Sequence, residues 1–219
     1  MDLRPPYPAD FHLILASRSP RRHSLLRDLG IPFTAALAEA DEWSEGGPPQ
    51  SIAERNALAK IDAAGLPDGL PAGAFILGTD TLVVVDDCVL GKPSSATEAA
   101  SMLASLGGRI HRVVSGVALR RSATTGDSGR PEDTRVSSAW TDVRFLPLGA
   151  EDVEAYVASG DWRGKAGAYA VQGLAALFVS EVRGEYSNVV GLPLCLLARM
   201  FKELGFDLLR RRWLLPRWP

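Results

Sequence analysis

The chain has 219 residues, 46% of them hydrophobic, and 24 Lys and Arg against 26 Asp and Glu give a formal charge of −2 at pH 7. Such values belong to a globular domain, exclude a disordered, collagen-like or fibrous chain, and argue against a general nucleic-acid surface, which needs a basic excess. No apolar run approaches the roughly 18 residues of a membrane span and no signal-like segment opens the chain. Cys88 and Cys195, the two cysteines, lie far apart in apolar surroundings, so a soluble, cytoplasmic protein with two core thiols is expected.

Residues 12–16 are a short apolar run of strand size. The run ends in Ser17-Arg18-Ser19-Pro20, where Ser19 is placed to cap a helix with Pro20 at its first position; Leu25, Leu26 and Leu29 supply its apolar stripe and Gly30 stops it. An extended stretch follows at 33–37. After a loop at 46–49, Ser51 and Glu54 have capping-box spacing for a helix through about Ala64. Residues 75–78 and 82–85 read as central strand material interrupted by Thr79-Asp80-Thr81, and such interruptions are often functional. Asp86-Asp87 turns the chain, Val89-Leu90 resumes it, and Ser95 with Glu98 forms a second capping box for a helix to about Leu106. Two β-rich segments, 110–119 and 139–146, are joined by a long polar stretch, 120–138, expected to be a flexible hairpin tip. Residues 151–158 make a short helix with acids in its first turn. Then come a strand at 174–182, a loop at 186–193 and a last amphipathic helix opened by Pro193. Alternating strands and helices followed by hairpin-like strands favour a mixed α/β sheet over a purely parallel one.

The usual signatures of phosphate loops, dinucleotide folds, serine hydrolases and zinc proteases are absent, and His12, His23 and His111 share no metal-ligand spacing. Attention falls on charged residues at element ends. The segment 17–22 puts two serines and three arginines at a helix N-terminus, where free N–H groups and the helix dipole favour an anion and Arg offers bidentate donors. A capped helix with solvated arginines would use the same residues. Asp80 is a carboxylate delivered to the end of a buried strand, where a base, a metal ligand or a structural acid would stand. Lys60, on an otherwise apolar helix face, and Lys92, in Gly91-Lys92-Pro93, are either cations of a site or snorkelling lysines. Asp41-Glu42 could hold a divalent cation or be solvated. Gln172 could read a base edge with its donor and acceptor or lie on a turn. Trp43, Trp140, Trp162, Trp213 and Trp218 have no regular spacing and suit packing better than base stacking.

Five segments, LILASRSPRR (13–22), GTDT (78–81), GKP (91–93), KAGAYAVQG (165–173) and NVVGLP (188–193), occur in an order that resembles the Maf family of nucleoside triphosphate pyrophosphatases. The resemblance implies an ITPase-like mixed, twisted sheet flanked by helices around a central cleft. It implies one catalytic domain of two lobes over 12–206, with an N-terminal extension at 1–11 and an Arg/Trp tail at 207–219. The implied reaction cleaves a nucleoside triphosphate to the monophosphate and pyrophosphate with a divalent metal, Mg²⁺ or Mn²⁺. On the same resemblance Ser17, Arg21 and Arg22 match the phosphate-binding start and Lys60 and Lys92 the lysines that hold phosphates. Asp80 matches the proton acceptor, and Glu42 with Asp80 would ligate the metal. Arg22, Thr81 and Gln172 are those of members that prefer dTTP and UTP, whereas the 7-methyl-GTP branch carries other residues there. The chain departs from many members in lacking an acid just before Lys60, in its longer polar stretch near 124–135, and in its tail.

A triphosphate carries about four negative charges near neutral pH, so Arg21, Arg22, Lys60 and Lys92 answer its oxygens and Glu42 with Asp80 a magnesium-type ion. The expected partner is a free nucleotide, without membrane or stable nucleic-acid partners, and a homodimer is a further expectation. The resembled family is also associated with a non-catalytic nucleotide-binding regulator of cell division, and such a binder would need the cations but gain nothing from the acids unless they held a metal. RNA binding through Arg210-Arg211-Arg212 with Trp213 and Trp218 rests on too short a basic run.

Overall fold

The protein is described from a computed structural model, covering residues 4–66, 69–124 and 132–214. The first apolar run is β1 (Leu13–Ala16), buried throughout, and it leads through Ser17-Arg18-Ser19 into α1 (Pro20–Asp28). There follow β2 (Thr34–Ala36), α2 (Pro49–Asp62), β3 (Phe75–Val85), β4 (Cys88–Leu90) and α3 (Ala96–Leu106). The second half supplies β5 (Ile110–Arg121), β6 (Asp133–Phe145), α4 (Ala150–Ser159), β7 (Val179–Arg183), α5 (Tyr186–Val190) and α6 (Leu194–Glu203), then a small ladder of β8 (Phe206–Asp207) with β9 (Arg212–Trp213).

The main sheet has the order β2-β1-β3-β5-β6-β7, with β4 also paired to β3. The β2–β1 and β1–β3 pairs are parallel and the others antiparallel, so the sheet is mixed as expected. One detail of register positions the site. The ladder of β1 on β3 stops at Ala16 opposite Gly78, and that of β4 begins at Leu90 opposite Val83, while β5 pairs with β3 across the whole interval. Residues 79–82 therefore have a ladder partner on one side only, and the cleft opens on the other.

Side chains alternate across a strand, so β3 presents Ile76, Gly78, Asp80, Leu82 and Val84 to one face and Phe75, Leu77, Thr79, Thr81, Val83 and Val85 to the other. The first face packs on α2, through Ile52, Ala53, Ala57 and Ile61. Glycine is required here for close approach: a Cβ on Gly78 would stand 2.2 Å from the Ala57 carbonyl oxygen, and one on Gly116 would stand 2.1 Å from that of Ala53. The opposite face carries two apolar clusters. One gathers Phe11, Leu15, Phe75, Leu77, Phe201 and Phe206; the other gathers Val83, Leu103, Leu106, Val113 and Phe145.

Several sequence expectations need correction. Thr79-Asp80-Thr81 does not break a strand, because the alternation gives each polar side chain its own partners and β3 runs on through them. Asp80 lies mid-strand; the strand that ends beside it is β1. The second helix starts at Pro49, ahead of Ser51, so no capping box forms, and Glu54 accepts a hydrogen bond from Ser138 instead. Ser19 stands at the cap position of α1 but makes no capping bond. Ser95 does cap α3, accepting from Glu98 N–H, while the Glu98 carboxylate turns to Ser94. β5 and β6 extend to Arg121 opposite Asp133, well into the expected hairpin tip, of which 125–131 falls outside the described residues. Residues 174–177 form a 3₁₀ turn before β7, and 186–190 form a helix where a loop was expected. Both cysteines are exposed rather than core thiols.

Several described side chains of the tail are engaged in contacts. Arg210 pairs with Asp207, Arg211 is buried over the Tyr7 ring and donates to the Pro5 carbonyl, and Trp213 stacks on Phe75 under the Arg121 guanidinium. Trp218 lies outside the described residues. Among the described residues, no helix is long and apolar enough to cross a membrane.

Candidate active site

Where β1 stops, Ser17 is buried and its Oγ accepts the Ser19 N–H at 3.2 Å, making the turn into α1. Arg22, one turn into the helix, is also buried and is held by three directed bonds. Its Nε donates to the Gly191 carbonyl at 2.8 Å, Nη1 to Ser17 Oγ at 3.2 Å and Nη2 to Thr81 Oγ1 at 3.1 Å. Thus Arg22 ties the end of β1, the middle of β3 and the end of α5 together. Burial pulls its pKa below the ordinary value, against the favourable field of Asp80. Arg21 points to the same opening; burial lowers its pKa too, opposed by Asp161 and Tyr156.

Asp80 is 4% exposed, and its two oxygens are divided between residues one turn apart on α2. Lys60 Nζ donates to Oδ1 at 2.6 Å and Asn56 Nδ2 to Oδ2 at 2.8 Å. The same ammonium reaches Glu42 Oε1 at 2.9 Å, and Lys92 Nζ reaches Glu42 Oε2 at 2.6 Å. The four residues form a chain, Asp80–Lys60–Glu42–Lys92, leading from the sheet to the surface. Partial burial opposes ionisation of Glu42, but Lys60 and Lys92 outweigh it and hold the carboxyl down to about 2. Lys60 is no snorkelling lysine, since it is buried between two acids.

Behind Thr81 a polar network crosses the sheet. Thr81 Oγ1 and Ser115 Oγ are 2.9 Å apart, Ser115 donates to the Asn188 carbonyl, and Asn188 Nδ2 reaches both the Val113 carbonyl and Thr141 Oγ1. On the far wall Gln172 is exposed, and Tyr169 shares a 2.7 Å hydrogen bond with His111. Burial pushes the Tyr169 phenol up. Ser17, Arg21, Arg22, Glu42, Lys60, Asp80, Thr81, Lys92 and Gln172 all line one cavity of about 630 Å³. Asn56 was not singled out from the sequence. An amide among the alanines of a helix was the available signal.

A sequence profile of the family described as Maf-like protein matches residues 12–204, from the residue before β1 to the end of α6. The chain belongs to the Maf family. Among similar proteins, the dTTP/UTP pyrophosphatase of Symbiobacterium thermophilum is 44% identical over 197 residues, 90% of this chain and 95% of its own. That of Moorella thermoacetica is 46% identical over 198 residues, 89% of this chain and 96% of its own, and that of Aromatoleum aromaticum 39% over 214 residues, 92% and 99%. Among solved structures, the Staphylococcus aureus Ham1 protein aligns with 62% of this chain and 72% of its own at 14% identity and a TM-score of 0.36. Every cavity residue named from the sequence falls inside the matched Maf segment.

Proposed function

We propose that this Maf chain is a nucleoside triphosphate pyrophosphatase acting on dTTP and UTP. The observation that carries the proposal is the composition of the cavity beside the gap in the β3 ladder, whose lining brings Arg21, Arg22, Lys60 and Lys92 together with Glu42 and Asp80. A triphosphate needs cations along its oxygens, and Arg21, Lys92 and the N-terminus of α1 stand where they would hold them. Arg22, bound to Ser17 and Thr81, fixes the shape of that rim as well as its charge. Asp80 accepts a proton from the water that attacks the α-phosphorus. The new P–O bond replaces the bond to the β-phosphate oxygen, pyrophosphate leaves, and one water is consumed per nucleotide. Lys60, between Asp80 and Glu42, pairs with both acids and helps to hold the Glu42 carboxyl ionised. Thr81 and Gln172 set the preference for a pyrimidine base.

Glu42 and Asp80 offer oxygen donors, the kind a hard divalent cation shares with substrate phosphates, and Lys60 bridges the loop that carries Glu42 to the Asp80 of β3. Among the described residues no group of three or more His, Cys, Asp or Glu gathers, so a cation here would depend on the nucleotide's own oxygens. Bound there, Mg²⁺ or Mn²⁺ would neutralise phosphate charge and acidify the water. The same reading places the enzyme in the cytoplasm on free nucleotides, as a homodimer that sedimentation equilibrium can test.

The test is product analysis over a panel of ordinary and modified triphosphates with Mg²⁺. Monophosphate and pyrophosphate are expected, fastest from dTTP and UTP. Orthophosphate with diphosphate would contradict attack at the α-phosphorus. A preference for 7-methyl-GTP would overturn the pyrimidine assignment, and tight binding without turnover would favour a regulator.

A further inference from the structure

The geometry points to Asn56 as a positioning residue that orients Asp80 and fastens the loop carrying Glu42. Asn56 is 1% exposed in the middle of α2, a position where an aliphatic side chain would suffer no desolvation. Both amide hydrogens and the amide oxygen are engaged. Oδ1 accepts the Trp43 backbone N–H at 2.9 Å, and Nδ2 donates to the Trp43 carbonyl at 2.9 Å and to Asp80 Oδ2 at 2.8 Å. Pairing with both backbone groups of Trp43 leaves the amide one orientation, because the flipped form would set N–H against N–H. That orientation turns the remaining N–H toward Asp80. One side chain thus couples the carboxylate of β3 to the residue that follows Glu42, and the two acids are held in register around Lys60.

The neighbouring residue supports the same loop. Arg55 stacks on the Trp43 ring at 4.4 Å and donates to the Glu45 carbonyl, so consecutive residues of α2 grip the loop from its two sides. Lys60 cannot replace Asn56 in orienting Asp80, since its ammonium contacts only Oδ1 and is shared with Glu42. With Asn56 absent, Oδ2 of Asp80 loses its donor and the carboxylate, held by Lys60 at Oδ1, can pivot out of the geometry that proton transfer requires.

The inference rests on Asp80 being the proton acceptor, and the experiment separates the two claims. Asn56→Leu removes all three bonds with similar volume, and Asn56→Asp keeps the shape but sets a carboxylate against Asp80. Steady-state kcat and KM for dTTP, with thermal midpoints to establish folding, are measured for both and for Asp80→Asn. The loss of a charge-assisted hydrogen bond should lower kcat at least tenfold in both variants. Asn56→Asp should have the larger kcat loss, with KM changed less than threefold. If Asn56→Leu does not fold, the isosteric Asn56→Asp carries the test. Retention of kcat within twofold by either folded variant, or a loss confined to KM, overturns the positioning role when Asp80→Asn is inactive. If Asp80→Asn itself turns over at the parent rate, the assignment of Asp80 falls and the role of Asn56 with it.

Discussion

Gly116 lies directly opposite Asp80 in the β3–β5 ladder, and its missing side chain is what lets α2 settle over the carboxylate. A methyl group there would come within 2.1 Å of the Ala53 carbonyl oxygen and 2.5 Å of the Glu54 nitrogen, both backbone atoms that cannot turn aside. Gly116→Ala should therefore lift α2, costing about 1–3 kcal/mol as overpacking does. Because Asn56 and Lys60 ride on that helix, turnover should fall by more than the loss of folded protein explains. Denaturant unfolding and kcat measured on the folded fraction check both parts. A variant of parent stability and rate would show that the helix does not need this contact.

Lys60 forms an ion pair with each of the two acids, and it is buried with Asp80. Lys60→Met leaves Asp80 as an uncompensated buried charge, which typically costs about 3–5 kcal/mol. The double variant Lys60→Met, Asp80→Asn removes that charge and should regain much of the stability while remaining inactive. Glu42 keeps Lys92 in either case. Melting curves of the single and double variants decide the matter: equal stabilities would mean that the Asp80 carboxylate is not paid for by Lys60.

Much of this arrangement is legible in the chain, and the rest fails for identifiable reasons. Residues 13–22 declare a strand ending in a helix because an apolar run meets Pro at the first helical position. Thr79-Asp80-Thr81 looks like a break because the partners that satisfy it come from α2 and from Gly191, neither of which is local. The spacing of Ser51 and Glu54 misleads because Pro48-Pro49 already starts the helix. The 110–145 hairpin is longer than its apolar segments because polar cross-strand contacts such as Arg120 with Thr134 and Glu132 continue the pairing. Asn56 is hidden for the opposite reason: its meaning depends on Trp43, 13 residues away, and Asp80, 24 residues away.

Arg22 and Arg21 are adjacent in sequence and alike in charge, yet they should respond differently to replacement by lysine. Arg22 uses three nitrogens on three acceptors from three elements, a geometry that one ammonium cannot reproduce. Arg22→Lys should lower stability by roughly 1–3 kcal/mol and kcat/KM by at least tenfold although the charge is kept. Arg21→Lys should leave stability within about 0.5 kcal/mol of the parent, as substitutions away from such networks do. Chemical unfolding and kcat/KM for dTTP compare them, and equal responses would mean that Arg22 acts through charge alone.

His111 gives the fold a pH dependence in the acid range. It is 2% exposed, its Nε2 bonds the Tyr169 hydroxyl, and its Nδ1 is buried without a partner, so burial pulls its pKa down to about 4, with Asp142 opposing. Below pH 6.5 the unfolded chain takes up a proton that the folded protein refuses until about pH 4. Stability contributed by the neutral ring is therefore complete above 6.5 and is lost as pH falls through that window, on the order of 3 kcal/mol in all. Carboxyls with lowered pKa, Glu42 among them, add their own loss at lower pH. His111→Gln keeps a polar group for Tyr169 and cannot titrate, so the difference in unfolding free energy between parent and variant should shrink steadily from pH 6.5 to 4. A difference that stays constant across that range would place the acid sensitivity elsewhere.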